Sequence, residues 1–412
     1  MDWFHEAARE VPIIGRPDVL VVGGGAAGIT ASVAAARRGA TAWLIEQSSA
    51  LGGLATVGLI NLLLTLDDGD GTQVVAGLCQ EFVDRLSTRG AATFPPAAQW
   101  ASEDPAEVDH WRRWGLIWGA PESVRYSVAF DPDAFIDVSI DALTEADVRI
   151  RFHTWFADVA VEDGRIAAVF VESKNGREAI VPSVVIDASG DGDVVARAGA
   201  PCERQSIPPN LWFRVGGVAD DAPPGFWFKT MSSGRALVPW GPAPNRVDAC
   251  DADDLSRALL ECRAGARQAF EGLRTQPGFE SAWLDDYAHL LGITESRRLI
   301  GDHVLAKEEG DVRFPDAIAQ TGHWTRRSVV FDVPYRCLTA PGYTNLLATG
   351  RCISTTRYVH QATKEIPAAM ATGEAAGAAA IAVANAGVDV HDVDVDALRA
   401  DLRAAGAIIG GA

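Results

Sequence analysis

The chain has 412 residues, with 36 Lys and Arg against 55 Asp and Glu, a formal net charge of −19. That length suggests about two to three domains, and 48% hydrophobic with 22% charged residues is globular composition, which argues against a disordered chain. The acidic excess argues against nucleic acid or an anionic membrane as main partner, because phosphate binding needs clustered Lys and Arg; a local basic pocket stays open. Six cysteines, at 79, 202, 250, 262, 337 and 352, form no C-x-x-C pair, so zinc-ribbon, thioredoxin-like and iron–sulfur readings lack their ligands. Their scatter fits a reducing compartment, and the first residues show no signal-peptide pattern, so a cytoplasmic protein is expected.

Residues 18–23 (Asp-Val-Leu-Val-Val-Gly) predict a buried parallel strand. An Ala-rich helix over 26–38, stopped by Gly39, and a second strand at 41–45 complete a βαβ unit. A helix is predicted over 72–89, and 91–130 reads as irregular, with four prolines. A helix over 133–145 precedes four short alternating runs, 148–152, 158–162, 165–172 and 178–181. Two of their gaps are Glu-Asp-Gly and Lys-Asn-Gly, hairpin turn signals that predict a small antiparallel meander. Residues 184–188 return to a buried strand. The stretch 201–285 is rich in Pro and Trp and weakly periodic apart from a helix over 253–270. Strands follow at 329–336 and 344–348. A long Ala/Gly helix over 367–385 carries Pro in its first turn and Glu374 within it, and reads as a buried helix, not a membrane span. A surface helix with Asp394 as N-cap closes the chain.

Gly23-Gly24-Gly25-Ala26-Ala27-Gly28 fits G-x-G-x-x-G between a strand and a helix, the context this motif requires. Gly23 permits the tight turn, Gly25 lets the backbone approach a pyrophosphate, and Gly28 lets the helix pack close to the strand. The helix N-terminus offers free N–H groups and a positive dipole end to phosphates. Glu46, at the end of the second strand, is placed to accept from ribose hydroxyls and disfavours a 2′-phosphate. The motif does not separate NAD from FAD. Residues 47–56 continue Gln-Ser-Ser-Ala-Leu-Gly-Gly-Leu-Ala-Thr.

With that turn the chain resembles the FAD-dependent oxidoreductases related to the glutathione reductase and fumarate reductase flavoprotein superfamily. Three more segments carry the resemblance: Ile-Asp-Ala-Ser-Gly-Asp-Gly-Asp at 186–193, Glu-Ser-Arg-Arg at 295–298, and the run from Ala-Thr-Gly-Arg-Cys at 348–352 to Ile-Pro-Ala-Ala-Met at 366–370. The resemblance implies an α/β fold. A discontinuous Rossmann-like FAD-binding domain (1–90, 131–200 and 336–412) combines a parallel sheet with a small antiparallel meander, and a substrate or cap domain (91–130 and 201–335) is inserted. The implied FAD contacts are Gly23, Gly25, Ala26, Ala27, Gly28, Glu46, Gln47, Gly53, Leu54, Ala55, Thr56, Val159, Ala188, Gly190, Asp191, Gly350, Arg351, Ile366 and Met370. FAD is expected to be non-covalent, since 53–65 lacks the histidine that tethers it in succinate dehydrogenase-like relatives, and Cys352 reads as a buried inert thiol. The long helix would aim its N-terminal dipole at the flavin N1/C2=O edge, favouring reduction.

On the family's layout His360 stands near the flavin ring as acid/base candidate, with Lys364 and Tyr358 in the same segment. Glu295 and Arg297 form an ion pair at the domain junction or bind a substrate carboxylate. The run 323–327 (His-Trp-Thr-Arg-Arg) lines the substrate cleft or a solvated face. Ten of twelve Trp fall between 100 and 324, and Trp111, Trp114 and Trp118 at helical spacing form a core stripe or an aromatic pocket wall. The function expected is two-electron oxidation of a small organic substrate, with hydride passing to flavin N5. The alternatives are an NAD(P)H-fed reductase or monooxygenase, and a non-catalytic carrier on the same fold. No second nucleotide motif and no nucleic-acid or membrane partner is expected; a homo-oligomer is compatible with the sequence.

Overall fold

In the computed structural model, residues 3–5, 7–239, 246–310 and 312–411 are described. The apolar run Val19–Val22 is buried at every position and lies at the centre of a five-stranded parallel sheet. The order is Leu346–Ala348, Val184–Asp187, Val19–Val22, Ala42–Ile45 and Arg149–Arg151. Alternate side chains enter different cores, as strand geometry requires. Val19, Val21, Leu44, Val184 and Ile186 face one apolar cluster with the helices, while Leu20, Val22, Ile45 and Val185 face another with the meander. That double burial explains why the strand reads as a continuous hydrophobic run.

Among the described residues the helices are, in chain order, α1 (Ala26–Arg37), α2 (Leu78–Thr88), α3 (Pro105–Arg112), α4 (Pro132–Glu145), α5 (Asp193–Ala198), α6 (Ala252–Leu273), α7 (Arg357–Thr363), α8 (Ile366–Ala386) and α9 (Val395–Ala404). Asp131 and Asp394 cap α4 and α9 by accepting from Ala134 N and Ala397 N. α8 is long and apolar enough to cross a membrane, but most of it is buried inside the protein, against α1 and the hairpin 317–334.

Three sequence expectations need correction. Arg149–Arg151 joins the parallel sheet beside Ala42–Ile45, because α4 supplies the crossover that parallel pairing needs. The meander is Trp155–Glu162, Arg165–Ser173 and Gly176–Ile180, with Ile13–Gly15 parallel on its edge. Residues 91–130 are not irregular throughout: they hold α3, capped by Asp104, and two strands, Ala92–Thr93 and Val128–Phe130, of a three-stranded sheet completed by Leu62–Leu63. The tryptophans do not share one helical stripe, since α3 ends at Arg112, between Trp111 and Trp114.

Those tryptophans are core. A four-stranded antiparallel sheet, in the order Phe228–Lys229, Arg235–Val238, Phe213–Gly216 and Trp283–Tyr287, shares an apolar cluster with Ala258, Cys262, Ala266 and Phe270 of α6. Trp111, Trp212 and Trp227 are buried in it, and Trp114, Trp118 and Trp324 pack at its margin; Trp240 lies outside the described residues. The hairpin Ala317–Gly322 and Val330–Pro334, grouped by sequence with the cap, places Ala317, Ala319, Phe331 and Val333 in the cluster around α1 and α8.

α8 lies unusually close to α1. A Cβ at Gly373 would fall 2.2 Å from Ala27 O, and one at Gly377 would fall 2.1 Å from Ala31 O. The Thr30 hydroxyl donates to Met370 O at 2.8 Å across the same seam. On the far side of α8, Glu374 is buried and accepts from Leu78 N at 2.8 Å, serving the start of α2, which no local side chain caps. Burial pushes this carboxyl up to about 7.

Replacing Gly377 with Val drives a branched side chain into helix backbone, and should cost at least about 2 kcal/mol, read as a lowered urea midpoint. The raised Glu374 carboxyl contributes stability that is fully present below its ordinary 4.5 and lost as pH rises through about 7. Between those pH values the wild type should lose on the order of 3 kcal/mol that Glu374→Gln does not lose, measured as the difference between their stability–pH curves.

Candidate active site

Parallel sheets present ligand sites where the chain leaves the carboxyl ends of the strands. Four of the five strands here lead into the segments the sequence motifs picked out: Gly23–Gly25, Glu46–Ser48, Ala188–Gly192 and Thr349–Arg351. Gly23 has φ +107°, and a Cβ there would collide with Ala188 O at 2.5 Å. Gly25 differs: a Cβ there would meet nothing within 4 Å, so the start of α1 faces open space. No side chain caps α1, so its first amides are available to a ligand.

Glu46 accepts from Gly24 N through Oε2 and from Ser48 N through Oε1, both at 2.7 Å. An ionised carboxylate has about four acceptor positions, so capacity remains on each oxygen. The 51–56 loop is drawn to the glycine turn by Gly52 N donating to Gly24 O at 2.8 Å. There Gly53, Leu54 and Ala55 form one 3-10 turn, and the Thr56 hydroxyl donates to Leu51 O at 2.5 Å. Gln47 is exposed. Val159 pairs with Val169 in the meander and is half-buried.

The 187–193 turn is a polar knot. Asp187 is fully buried and accepts from Ser189 N, Ser189 Oγ and Val195 N; burial still pushes its carboxyl up to about 6. Asp191 Oδ1 accepts from Ser296 Oγ at 2.5 Å and from Arg351 Nη2 at 2.8 Å, and Arg351 Nη1 reaches Ile293 O at 2.8 Å. Arg297 Nη1 donates to Asp193 Oδ1 at 2.9 Å and to the carbonyls of Asp191 and Gly192. The expected Glu295–Arg297 pair does not form, because the two side chains serve different elements. Glu295 faces α7 and accepts from Arg357 at 3.1 Å and Gln361 at 2.7 Å, whereas Arg297 braces the 191–193 turn. Ser296, between them, was inside the quoted motif yet not singled out.

α7 and α8 meet at a corner beside Arg351. His360 is fully buried, its Nε2–H donating to Arg351 O at 3.0 Å, and Nδ1 is sealed without a partner. Burial, then Arg298 and Lys364, hold it well below the usual imidazole range, so it is a neutral brace for the Arg351 loop and not open to a cleft. Lys364, half-buried, pairs with Glu365 at 2.8 Å, the residue that starts α8. Tyr358 is half-buried, with Lys307 Nζ and the Arg326 guanidinium each 5.0 Å from its ring centroid. No side chain caps α8, and Pro367 occupies its first turn. Ile366 is half-buried at that end, but Met370 is fully buried with its carbonyl taken by Thr30, which places it in the α1–α8 packing seam. Cys352 is fully buried, and burial pushes its thiol far up.

The sequence model of the FAD dependent oxidoreductase family matches residues 18–249 and 226–402. The chain belongs to that family. No curated protein matches it in sequence. Among solved structures it is similar to p-nitrophenol 4-monooxygenase PnpA from Pseudomonas putida DLL-E4, with 14% identity over 94% of this chain and 84% of that one, at a TM-score of 0.54. It is also similar to BexE, studied for oxidation during BE-7585A biosynthesis, with 14% identity over 95% of this chain and 67% of that one, at a TM-score of 0.51. At such identities the likeness is one of fold.

The protein is therefore an FAD-dependent oxidoreductase, and its residues fit the cofactor. The open face of Gly25, the uncapped starts of α1 and α8 and the spare acceptor capacity of Glu46 offer phosphate, flavin-edge and ribose partners along one edge of the sheet. The buried Nε2–H bond of His360 sets a direct test. The imidazole nitrogen shifts of His360 should stay flat between about pH 5 and 8, measured by NMR of 15N-histidine-labelled protein, whereas an exposed histidine titrates in that window.

Proposed function

We propose that the chain oxidises a small organic substrate by two electrons, in the manner of a dehydrogenase or oxidase, with non-covalent FAD seated along the carboxyl edge of the parallel sheet. The observation that carries this reading is the uncapped amino end of α8 beside Gly350 and Arg351. A positive dipole end there stabilises negative charge on whatever accepts a hydride at that place. When bound, FAD would supply the acceptor for a hydride from a substrate C–H, and the accompanying single proton would leave to a protein side chain.

In this reading Gly23, Gly25, Ala26, Ala27 and Gly28 hold the pyrophosphate, and Glu46 and Gln47 the adenosine ribose. Val159 borders the adenine. Gly53, Leu54, Ala55 and Thr56 pass beside the cofactor, and Ala188, Gly190 and Asp191 approach its ribityl chain. Gly350, Arg351 and Ile366 border the flavin. Arg297 acts as a positioning residue, since its donors hold the carbonyls of the 191–192 turn. His360 positions Arg351 in the same way. Lys364 and Tyr358 are the side chains at this corner that exchange the proton, and Glu365 keeps Lys364 Nζ oriented. Residues 201–285 and α3 form the cover over the substrate, a role suited to their separate apolar cluster.

A second reading, a monooxygenase or reductase fed by free NAD(P)H, shares every cofactor contact and is separated by the electron donor. Purified protein should show flavin bands that survive gel filtration. Glu46→Ala should weaken FAD binding about 10- to 100-fold, the loss of a charged hydrogen-bond acceptor, measured by titrating apoprotein with FAD. Under anaerobic conditions, bleaching by an organic substrate alone supports the dehydrogenase reading. Bleaching by NADH or NADPH alone replaces it with the second.

A further inference from the structure

We propose that the corner beside the start of α8 recognises an anionic substrate, a small carboxylate with an apolar or aromatic body, through Arg125, Lys307, Arg326 and Lys364. This rests on the FAD-dependent reading above and names the substrate class for that site.

The chain carries 55 acidic against 36 basic side chains, and many of its arginines have a carboxylate within 4.0 Å. Around Tyr358 that balance reverses. Lys307 Nζ and the Arg326 guanidinium both lie 5.0 Å from its ring centroid, and neither forms an ion pair among the described residues. The hairpin Ala317–Gly322 and Val330–Pro334 brings His323 to the same ring, centroid to centroid 6.0 Å. Beside it sits Arg125, only 4% exposed, whose guanidinium makes one hydrogen bond among the described residues, to His323 O at 3.0 Å.

A buried guanidinium that donates only to a carbonyl is costly unless a counter-charge arrives. Asp67 does not bond to it, because its carboxylate accepts from Tyr126 N and the Thr65 hydroxyl. Asp67, Asp68 and Asp70 attract Arg125 from beyond salt-bridge distance, and burial outweighs them, holding its guanidinium below the usual range. His323 itself is pushed down to about 4 by burial and by Arg326, Arg125 and Lys364, so it is neutral and the positive charge resides on Arg125, Lys307, Arg326 and Lys364, the last already paired with Glu365 at 2.8 Å.

The apolar end is equally defined. Lys364 Nζ stands 5.8 Å from the Trp324 ring, which meets Trp118 edge-on at 5.4 Å. One side of the corner therefore presents cations and the other two indoles, a pairing that suits an organic acid. Lys364 directly precedes Glu365, the start of α8, so the acid lies next to the proposed flavin edge.

The test uses the yellow holoprotein and reads perturbation of the flavin bands. Benzoate and 3-phenylpropionate are titrated beside their uncharged counterparts, benzyl alcohol and 3-phenylpropanol. The carboxylates should bind saturably and at least about tenfold more tightly than the alcohols, with affinity falling as salt rises. Lys307→Gln and Arg326→Gln, both at exposed positions, should each weaken benzoate about threefold or more and leave the alcohols unchanged. Arg326→Lys should restore most of the loss. Arg125→Gln should weaken benzoate about tenfold or more, provided its circular dichroism matches wild type. Equal binding of acids and alcohols, no binding of either acid, or a Lys307→Gln/Arg326→Gln double variant with wild-type benzoate affinity would each overturn the proposal. A protein that holds no FAD would instead sink the reading of the site, and calorimetric titration with benzoate then tests the anion corner alone by the same criteria.

Discussion

How closely α8 lies on α1 governs the whole carboxyl edge of the parallel sheet. Gly373 and Gly377 leave no side chain between the helices, so the backbone of α8 rests against Ala27 and Ala31. Gly350 extends the seam, since a Cβ there would fall 2.7 Å from Ala27 Cβ. The starts of α1 and α8 and the Arg351 loop are thereby brought to one place. Two uncapped helix ends gathered at a sheet edge form a site for negative charge, whether phosphate or an electron-rich ring edge. A wider seam would separate them, because the two helices are the supports on which both ends are carried.

Rigidity at that edge comes from buried polar groups that tie neighbouring turns together, although Arg298 Nη1, Thr349 Oγ1, Thr355 Oγ1 and His360 Nδ1 are sealed there without a partner among the described residues. Asp187 spends its carboxylate on the turn it begins, and Asp191 ties Ser296 and Arg351 to the same turn. His360 holds Arg351 from the other side. The Glu-Ser-Arg-Arg segment thus acts as a brace whose members point to different neighbours: Glu295 to α7, Ser296 and Arg297 to the 191–193 turn, and Arg298 to Glu203 and Thr355 O. Such a brace fixes the backbone of the 191–193 turn and of the Arg351 loop. In the proposed mechanism, proton exchange falls to the half-buried Lys364 and Tyr358, beside which Lys307 and Arg326 also lie.

The cofactor half was legible because its physics is local. A turn that only glycine can make, a helix that starts there and an acid at the end of the next strand lie within one βαβ unit, and the hairpin turns at Asp163-Gly164 and Asn175-Gly176 announce themselves by residue type. The partners of Glu295, the burial of His360 and the packing place of Met370 were not legible. Each depends on which element crosses nearby, and residue spacing carries no information about that. The same holds for Arg149–Arg151, whose alternation suits a meander or a parallel edge equally. Arg125 had no local signal at all; it gains meaning only beside His323.

By itself the sequence determined a parallel α/β nucleotide-binding core, because turn sterics and helix-end electrostatics act over a few residues; FAD followed from the resemblance that its motifs carry, in agreement with the family match. Only the tertiary structure decided which charged groups meet, which are sealed and which stand unpaired. Those outcomes follow from burial and from contacts between segments up to hundreds of residues apart, such as Thr30 with Met370 or Arg125 with His323. Desolvation and Coulomb attraction depend on distance in space, and the order of residues along the chain does not supply it.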